Sequence, residues 1–351
     1  MKAFLTAMMT MCVVPAFAQE ATAVFGPDDP KQLMTIRSTT DIAVFGPVVD
    51  AFLETQTDIG ILYEQWGSND LFALSKADCA AGRASADMLI SSGVHQMVQL
   101  VNDACAQAHR SDATAGVRDE LIWRDELWGV TREPAVMVYN RDLVPYDEVP
   151  QSRFDLLDLL RPDQSRYAGR VATYDIEASG LGFLFAFIDS QEATTFGGLL
   201  ESLGRTHAIA TCCSAEIIDG VANGQYLVAY NVLGSYALAR AEKDTRIGVI
   251  APNDYTLVLS RAVMIPRGAE NAGLATAFLD FLLSDTGRAQ LREALLIVPI
   301  DGEEGELEAG QASGGVVRPI TLAPGLLVAL DRQKRESFIR RWRETFPSNA
   351  Q

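Results

Sequence analysis

Short apolar runs of strand length recur along the chain, each followed by a polar turn and then by apolar residues at helical spacing. Residues 33–38 alternate as a strand does; after Ser38-Thr39-Thr40-Asp41 the apolar positions Val44, Phe45, Val48, Val49 and Phe52 mark a helix. The unit repeats at residues 59–63, where Glu64-Gln65-Trp66-Gly67-Ser68-Asn69 leads into a helix from about Asp70, and at residues 87–90, where Ser91-Ser92-Gly93 precedes a helix carrying Met97, Leu100 and Val101. Residues 121–123 and 127–130 form a predicted hairpin around Arg124-Asp125-Glu126. Three strand-to-helix turns rich in hydroxyl, amide or glycine predict one α/β lobe, with ligands placed outside the carboxyl ends of its strands.

The stretch WGVTREPAVMVYN, residues 128–140, changes the organisation. Glu133-Pro134 predicts an extended crossing, and the β-prone run behind it opens an excursion of about 120 residues that ends near residues 245–252, longer than one compact connection needs. A second lobe over residues 132–255 is therefore expected, inserted into a first lobe made of residues 31–131 and 256–346, with hinges near 132–136 and 250–257. Inside the insertion, a strand at 170–173 meets Tyr174-Asp175-Ile176-Glu177-Ala178-Ser179-Gly180 before a hydrophobic helix, 181–188. Ser214 opens another helix, and a buried strand at 227–231 delivers Tyr230, Asn231 and then Tyr236. After the return, residues 258–265 read as one strand of the first lobe, 272–283 and 287–295 as helices, 302–315 as a Gly- and Glu-rich loop, and 326–342 as a closing helix with a basic outer face.

Composition adds location. With 351 residues, 48% hydrophobic and 21% charged, the chain is large enough for two cores. Its start, MKAFLTAMMTMCVVPAFA, has a basic residue, an apolar core and Ala16-Phe17-Ala18, the pattern of a signal peptide over residues 1–18 cleaved after Ala18, so a periplasmic product is expected. Loss of Lys2 would take the formal charge from −17 to −18. With no basic run or basic-aromatic interleaving to offset it, nucleic acid and anionic membranes are poor partners. In an oxidising compartment a Cys79–Cys105 bridge competes evenly with two buried thiols. A bridge between the adjacent Cys212 and Cys213 is not expected, because neighbouring residues fit disulfide geometry poorly.

The candidate chemistry is binding rather than catalysis. No GxSxG, HExxH, phosphate-loop or dinucleotide fingerprint occurs, and His95, His109 and His207 fall in no catalytic pairing, His95 reading as a surface histidine. No cofactor and no metal site is expected. Ser38, Thr39, Thr40, Ser91, Ser92, Ser179, Gly180 and Ser214 sit where helix N–H groups and hydroxyls favour an anion, although each also serves as an ordinary cap. Trp66 either stacks on a ligand or covers the core edge. Arg132 offers a charge at the hinge, or pairs with a nearby carboxylate such as Glu133. Tyr174, Asp175, Tyr230, Asn231 and Tyr236 complete the candidate set, with Asp41, Asp175 or Glu177 dominating instead if the solute is a cation.

STTD, ADMLISS, WGVTREPAVMVYN, YDIEASGLG, AYNVLGSYA and FLDFLLSDTGRAQL, in that order behind the leader, resemble periplasmic solute-binding proteins of the type II, ferric-type group that serve ABC importers. The resemblance covers nearly all of the mature chain. It implies a two-lobed type II periplasmic-binding-protein fold, each α/β lobe a mixed sheet flanked by helices, with a two-strand hinge that closes on a solute. It also implies a monomer whose partners are ABC permease subunits, although proteins of this type also serve membrane sensor kinases. Ferric binders of the group present two neighbouring tyrosines, whereas AYNVLGSYA separates Tyr230 from Tyr236. Relatives that bind phosphorylated or carboxylated solutes use hydroxyls and N–H groups at helix starts, which this sequence supplies at Ser38-Thr39, Ser91-Ser92 and Ser179-Gly180.

Overall fold

The structure, a computed structural model, describes residues 19–298 and 316–346 except residues 57, 163 and 193. The expected signal peptide, residues 1–18, and the expected Gly- and Glu-rich loop, residues 302–315, lie outside the described residues. Among the described residues, no helix is long and apolar enough to cross a membrane.

Strands β1 (Gln19–Phe25), β2 (Gln32–Ser38), β3 (Ile59–Trp66), β4 (Met88–Ser91), β5 (Ile122–Trp123) and β6 (Leu127–Gly129) belong to a first sheet. The chain then crosses to a second sheet with β7 (Glu133–Asn140), β8 (Val171–Tyr174), β9 (Ile209–Thr211), β10 (Val228–Leu233), β11 (Ile247–Ile250) and β12 (Thr256–Leu259). It returns as β13 (Ala262–Met264) to the first sheet, and β14 (Val317–Pro319) pairs with β12 in the second. The orders are β1-β3-β2-β4-β13-β6-β5 and β14-β12-β7-β10-β8-β9, with β11 also on β7. Parallel β2, β3 and β4 are interleaved with helices α1 (Ile42–Leu53), α2 (Ser68–Ala80) and α3 (Val94–Asn102), as parallel pairing requires. β1 was not anticipated; it adds antiparallel to β3 as an exposed edge strand, so it carries little hydrophobic pattern to read.

The expected single strand at 258–265 is two strands in two sheets. Val258 and Leu259 pair with Pro134 and Glu133 of the second sheet, and Ala262 and Val263 with Gly129 and Trp128 of the first. The second crossing thus falls at Ser260-Arg261, beside residues 130–132, and not at 250–257. The apolar run continues through both halves because both are buried, which hides the break from hydropathy.

After the short α4 (Asp112–Ala115), helices α5 (Arg153–Leu160), α6 (Gly180–Glu192), α7 (Phe196–Arg205), α8 (Ser214–Ala222) and α9 (Gly234–Ala241) flank the second sheet. α10 (Ala272–Leu283) and α11 (Asp285–Glu293) complete the first lobe, Phe278 meeting Phe45 and Phe52 edge-on. The expected closing helix is a 3₁₀ stretch, Pro324–Leu330, followed by α12 (Arg332–Thr345). The two halves face different lobes: the 3₁₀ stretch packs against α3 of the first, whereas Ile339 and Trp342 of α12 join Phe183, Phe187, Phe196 and Leu200 of the second in one apolar cluster. Another apolar cluster runs beneath the cleft from Trp66 and Leu89 in the first lobe to Ala135, Phe185 and Val232 in the second.

Cys79 and Cys105 form a disulfide that ties α2 to the end of the α3 segment. Replacing both by serine should cost about 3 kcal/mol, the chain-entropy value for a loop of this length. Urea denaturation of the double variant measures it, and an unchanged midpoint would exclude the bridge as a structural tie.

His95 is not on the surface. It is 1% exposed, stacked on Phe183 of α6 with centroids 5.7 Å apart, and its Nδ1 has no partner. Burial, aided by the positive charge of Arg335, pushes its pKa down to about 3. The unfolded chain binds that proton near pH 6.5, so the unfolded state holds more protons below that pH. Stability is therefore full above about pH 6.5 and falls as the pH drops, by about 2–3 kcal/mol at pH 4.5. Denaturation midpoints of His95→Leu should be flatter than wild type across this window; parallel pH profiles would contradict the reading.

Candidate functional site

The floor of the cleft is made by the two crossing segments. Val130 N donates to the Arg261 carbonyl at 3.0 Å, and Arg261 N to Thr131 Oγ1 at 2.7 Å. Between them lies an ion pair with both partners fully buried: Arg261 Nε reaches Glu133 Oε1 at 2.8 Å and Nη2 reaches Oε2 at 3.2 Å. Thr131 Oγ1 and Ser235 Oγ donate to the same carboxylate at 2.7 and 2.5 Å. Arg261 Nη1 points to the Thr39 carbonyl at 3.2 Å and Oγ1 at 3.4 Å. Burial opposes the charge on Arg261, but Glu133, Tyr236 and Tyr63 outweigh it and raise its pKa above the ordinary value. A charged guanidinium thus stands at the cleft, which it lines.

The walls are helix starts. From the first lobe come Asp41 before α1, Gly67 and Ser68 at α2, and Ser92 before α3. The second lobe presents Ser179 before α6, Cys213 and Ser214 at α8, and Leu233 and Tyr236 at α9. Their first N–H groups and their dipoles favour negative charge. The cleft, open to solvent on one side, has a volume of about 230 Å³. The lobes touch directly around it: Tyr236 Oη donates to Asp41 Oδ1 at 3.0 Å, Gly180 N to Ser68 Oγ at 2.9 Å, and Asn69 Nδ2 to the Glu177 carbonyl at 2.9 Å. Gly182 permits this packing of α6, since a Cβ there would lie 2.3 Å from that of Tyr174.

Of the sequence-predicted residues, Thr39, Trp66, Ser92, Tyr174, Ser179, Ser214 and Tyr236 line the cavity. Thr39 Oγ1 accepts from Ser92 N at 2.9 Å and lies 3.1 Å from Ser92 Oγ, so two predicted turns meet. Tyr174 Oη contacts Ser214 Oγ at 2.5 Å, and burial pushes its pKa up to about 12. Asp41, a candidate for a cationic solute, lines the cavity as well, and the others do not. Ser38 Oγ accepts from Thr40 N and Ser91 Oγ from Gly93 N, each at 3.0 Å, holding their own turns, and Thr40 is buried behind them. Asp175 Oδ1 accepts from Glu177 N at 2.8 Å, Glu177 pairs with Arg343 at 2.5 Å, and the N–H of Gly180 is committed to Ser68. Arg132 Nη1 donates to the Val298 carbonyl at 3.2 Å, beside the bridge to Ile297, while the oxygens of Glu133 accept from Arg261, Thr131 and Ser235.

Tyr230 and Asn231 turn inward because β10 bulges. Asn231 adopts φ 59°, a left-handed conformation that asparagine tolerates better than most residues, and the register with β7 shifts there. Its Nδ2 reaches Asp189 Oδ2 at 2.6 Å, Tyr230 Oη donates to the same oxygen, and Arg153 Nη2 and Tyr255 Oη bind the other at 3.1 and 2.6 Å. The reading missed Arg261, Ser68 and the joined Cys212–Cys213 pair. An arginine inside the apolar run LVLSRAVM was the available signal for the first. The structure bridges Cys212 to Cys213 at the exposed start of α8, contrary to expectation. The two sulfurs and Glu216 lie within 4.8 Å of one another, but joined sulfurs offer no thiolate to a metal.

Two lobes joined by adjacent crossings, with helix starts facing a shared cleft, define a binding protein of the two-lobed periplasmic type. Residues 68–313 match the family model described as Bacterial extracellular solute-binding protein. The substrate binding protein of an ABC transporter from Agrobacterium tumefaciens is 30% identical, with 94% of this chain and 99% of that one covered and a TM-score of 0.85. The chain belongs to this family and is a solute-binding protein of an ABC importer, not an enzyme. Iron-bound HitA from Pseudomonas aeruginosa and AfuA from Actinobacillus pleuropneumoniae with fructose-6-phosphate bound share the fold, each at 16% identity. Their TM-scores are 0.67 and 0.71, covering 86% and 91% of this chain and 98% and 99% of theirs. No curated sequence matches.

Arg261→Met should destabilise the protein by about 3–5 kcal/mol, because it leaves Glu133 buried without its countercharge. The double variant Arg261→Met/Glu133→Leu should recover much of that loss, since no charge is then left behind. Chemical denaturation of wild type, Arg261→Met, Glu133→Leu and the double variant gives the comparison, and a double variant as damaged as the sum of its singles would refute it.

Proposed function

We propose that the solute is a small organic anion, a phosphate ester or a carboxylate, captured between the lobes and handed to the importer's permease. The observation that carries the reading is the buried, charged guanidinium of Arg261 at the cleft floor, beneath helix starts from both lobes. Thr39, Ser92 and Ser214 add uncharged donors next to it. A volume of about 230 Å³ is below the usual range of about 300–1,000 Å³ for drug-sized ligands, which favours a compact solute. AfuA, with fructose-6-phosphate bound, lends the reading a precedent in the same fold.

The iron of HitA fits this chain less well. Tyr174 and Tyr236, the phenols at the cleft, are committed to Ser214 and Asp41, and Tyr230 to Asp189. A cationic solute would rely on Asp41, Asp70 and Glu20, which line the cleft on the side of the first lobe.

A thermal-shift screen of organic phosphates, carboxylates, ferric ion and polyamines identifies the solute class, because a ligand that binds only the folded state raises the melting temperature. Calorimetry with the best hit should then show Ser92→Ala and Ser214→Ala each weaker by about 1–3 kcal/mol, with Asp41→Asn binding at least as tightly as wild type. Serine variants of wild-type affinity beside an Asp41→Asn variant that has lost binding would establish the cation reading in its place.

A further inference from the structure

A cavity of about 350 Å³, larger than the cleft and sharing no lining residue with it, lies in the first lobe beneath the second half of α2. One wall is apolar: the Cys79–Cys105 bridge, Leu89, Met264 and Pro266. The other carries polar groups that the protein leaves unused. Ser75 is 8% exposed and its Oγ has no partner, a state that costs about 1–3 kcal/mol unless something accepts its proton. Arg37, 7% exposed, donates Nε to Glu64 at 2.7 Å and Nη1 to Asp78 and Ser85 at 3.1 and 2.9 Å, which leaves Nη2 without a protein partner among the described residues. Arg267 stands exposed at the rim with no carboxylate in pairing distance among the described residues.

The sign of the ligand follows from which charges are already spent. Asp78, the buried carboxylate of the cavity, is taken up on both oxygens by Arg37, Arg83 and Ser85. Asp103 is at the exposed edge, where solvent screens it. Among the described residues the one buried carboxylate of the cavity is thus already neutralised and gives a cation no free charge, whereas an anion meets the guanidinium of Arg37, which lines the cavity, the Ser75 hydroxyl and, at the mouth, Arg267. Charge-assisted bonds to a carboxylate are the stronger kind. The apolar wall suits a hydrocarbon body on the same molecule. We propose that this cavity is a second binding site, for a small carboxylate with an apolar body. Glu64, which accepts from Arg37, also accepts from Trp66 Nε1 at 3.1 Å, so the two sites share one hydrogen-bonded wall.

The probe is 4-methylpentanoate, with 4-methylpentanamide as its neutral counterpart, titrated into the full mature protein by calorimetry and saturation-transfer NMR. Saturable binding of the carboxylate is expected with a Kd in the millimolar range or below, and binding of the amide weaker by about tenfold or more. Ser75→Ala should weaken the carboxylate by about tenfold and Arg267→Ala by about threefold, the smaller effect reflecting its exposure. Ser92→Ala, at the cleft, should leave it unchanged. The absence of saturable binding, equal binding of acid and amide, or wild-type affinity in both Ser75→Ala and Arg267→Ala each overturns the proposal. Weakening by Ser92→Ala alone would assign the probe to the cleft and overturn it as well. Neither first-lobe variant touches the groups proposed for the transported solute, so failure here leaves that reading standing.

Discussion

The buried pair of Arg261 and Glu133 is the constraint on which the rest of the cleft depends. Both residues sit in the segments where the chain passes between sheets, so the pair holds the two crossings side by side at the point where regular pairing changes partners. Removing two charges from water is expensive, and only good geometry with further hydrogen bonds offsets it. Here the carboxylate accepts four hydrogen bonds, two from Arg261 and one each from Thr131 and Ser235. Thr131 and Arg261 belong to the crossings and Ser235 to the second lobe, while the remaining guanidinium nitrogen reaches Thr39 of the first. One ion pair therefore gathers residues from every part of the cleft and leaves a single positive edge facing inward.

A second buried charge cluster shows why position in the fold, and not residue type, assigns function. Asp189 on α6 collects Arg153, Tyr230, Asn231 and Tyr255, all turned away from the cleft. Burial raises the Tyr230 pKa well above its ordinary value, with Asp189 adding to it and Arg153 opposing it, so the phenol stays protonated and donates to the carboxylate. Such a satisfied network fixes how α5, α6 and β10 pack, and it removes from the cleft residues whose chemistry suited a ligand.

The direct contacts between lobes bear on dynamics. Tyr236 with Asp41, and Gly180 with Ser68, bridge the cleft mouth, and the stacking of His95 on Phe183 joins α3 to α6 beside it. Opening must break these bonds and expose an apolar cluster that runs through both lobes, so access to the cleft and the local stability of this interface are one quantity. The C-terminal segment spans the same boundary, its 3₁₀ stretch against α3 of the first lobe and its helix α12 on the second through Ile339 and Trp342.

Much of the fold was legible because it rests on local pattern. Alternation and helical spacing located β2, β3, β4, β8 and β10 and the helices that follow them, and the Pro-bearing run at 133–140 marked the crossing. The polar turns at Thr39, Ser92, Ser179 and Ser214 were legible as cleft residues because strand-to-helix turns in parallel sheets open on one edge. Within a turn, however, neighbouring residues face opposite ways, and composition did not separate Thr39 and Ser92, which face the cavity, from Ser38 and Ser91, which hold their own loops. Only the tertiary structure decided that β10 bulges at Asn231, that residues 258–265 divide between two sheets, and that Arg261 pairs with Glu133 across 128 positions of sequence. These depend on partners distant in the chain, and a buried arginine in an apolar run has no local signature beyond its own improbability.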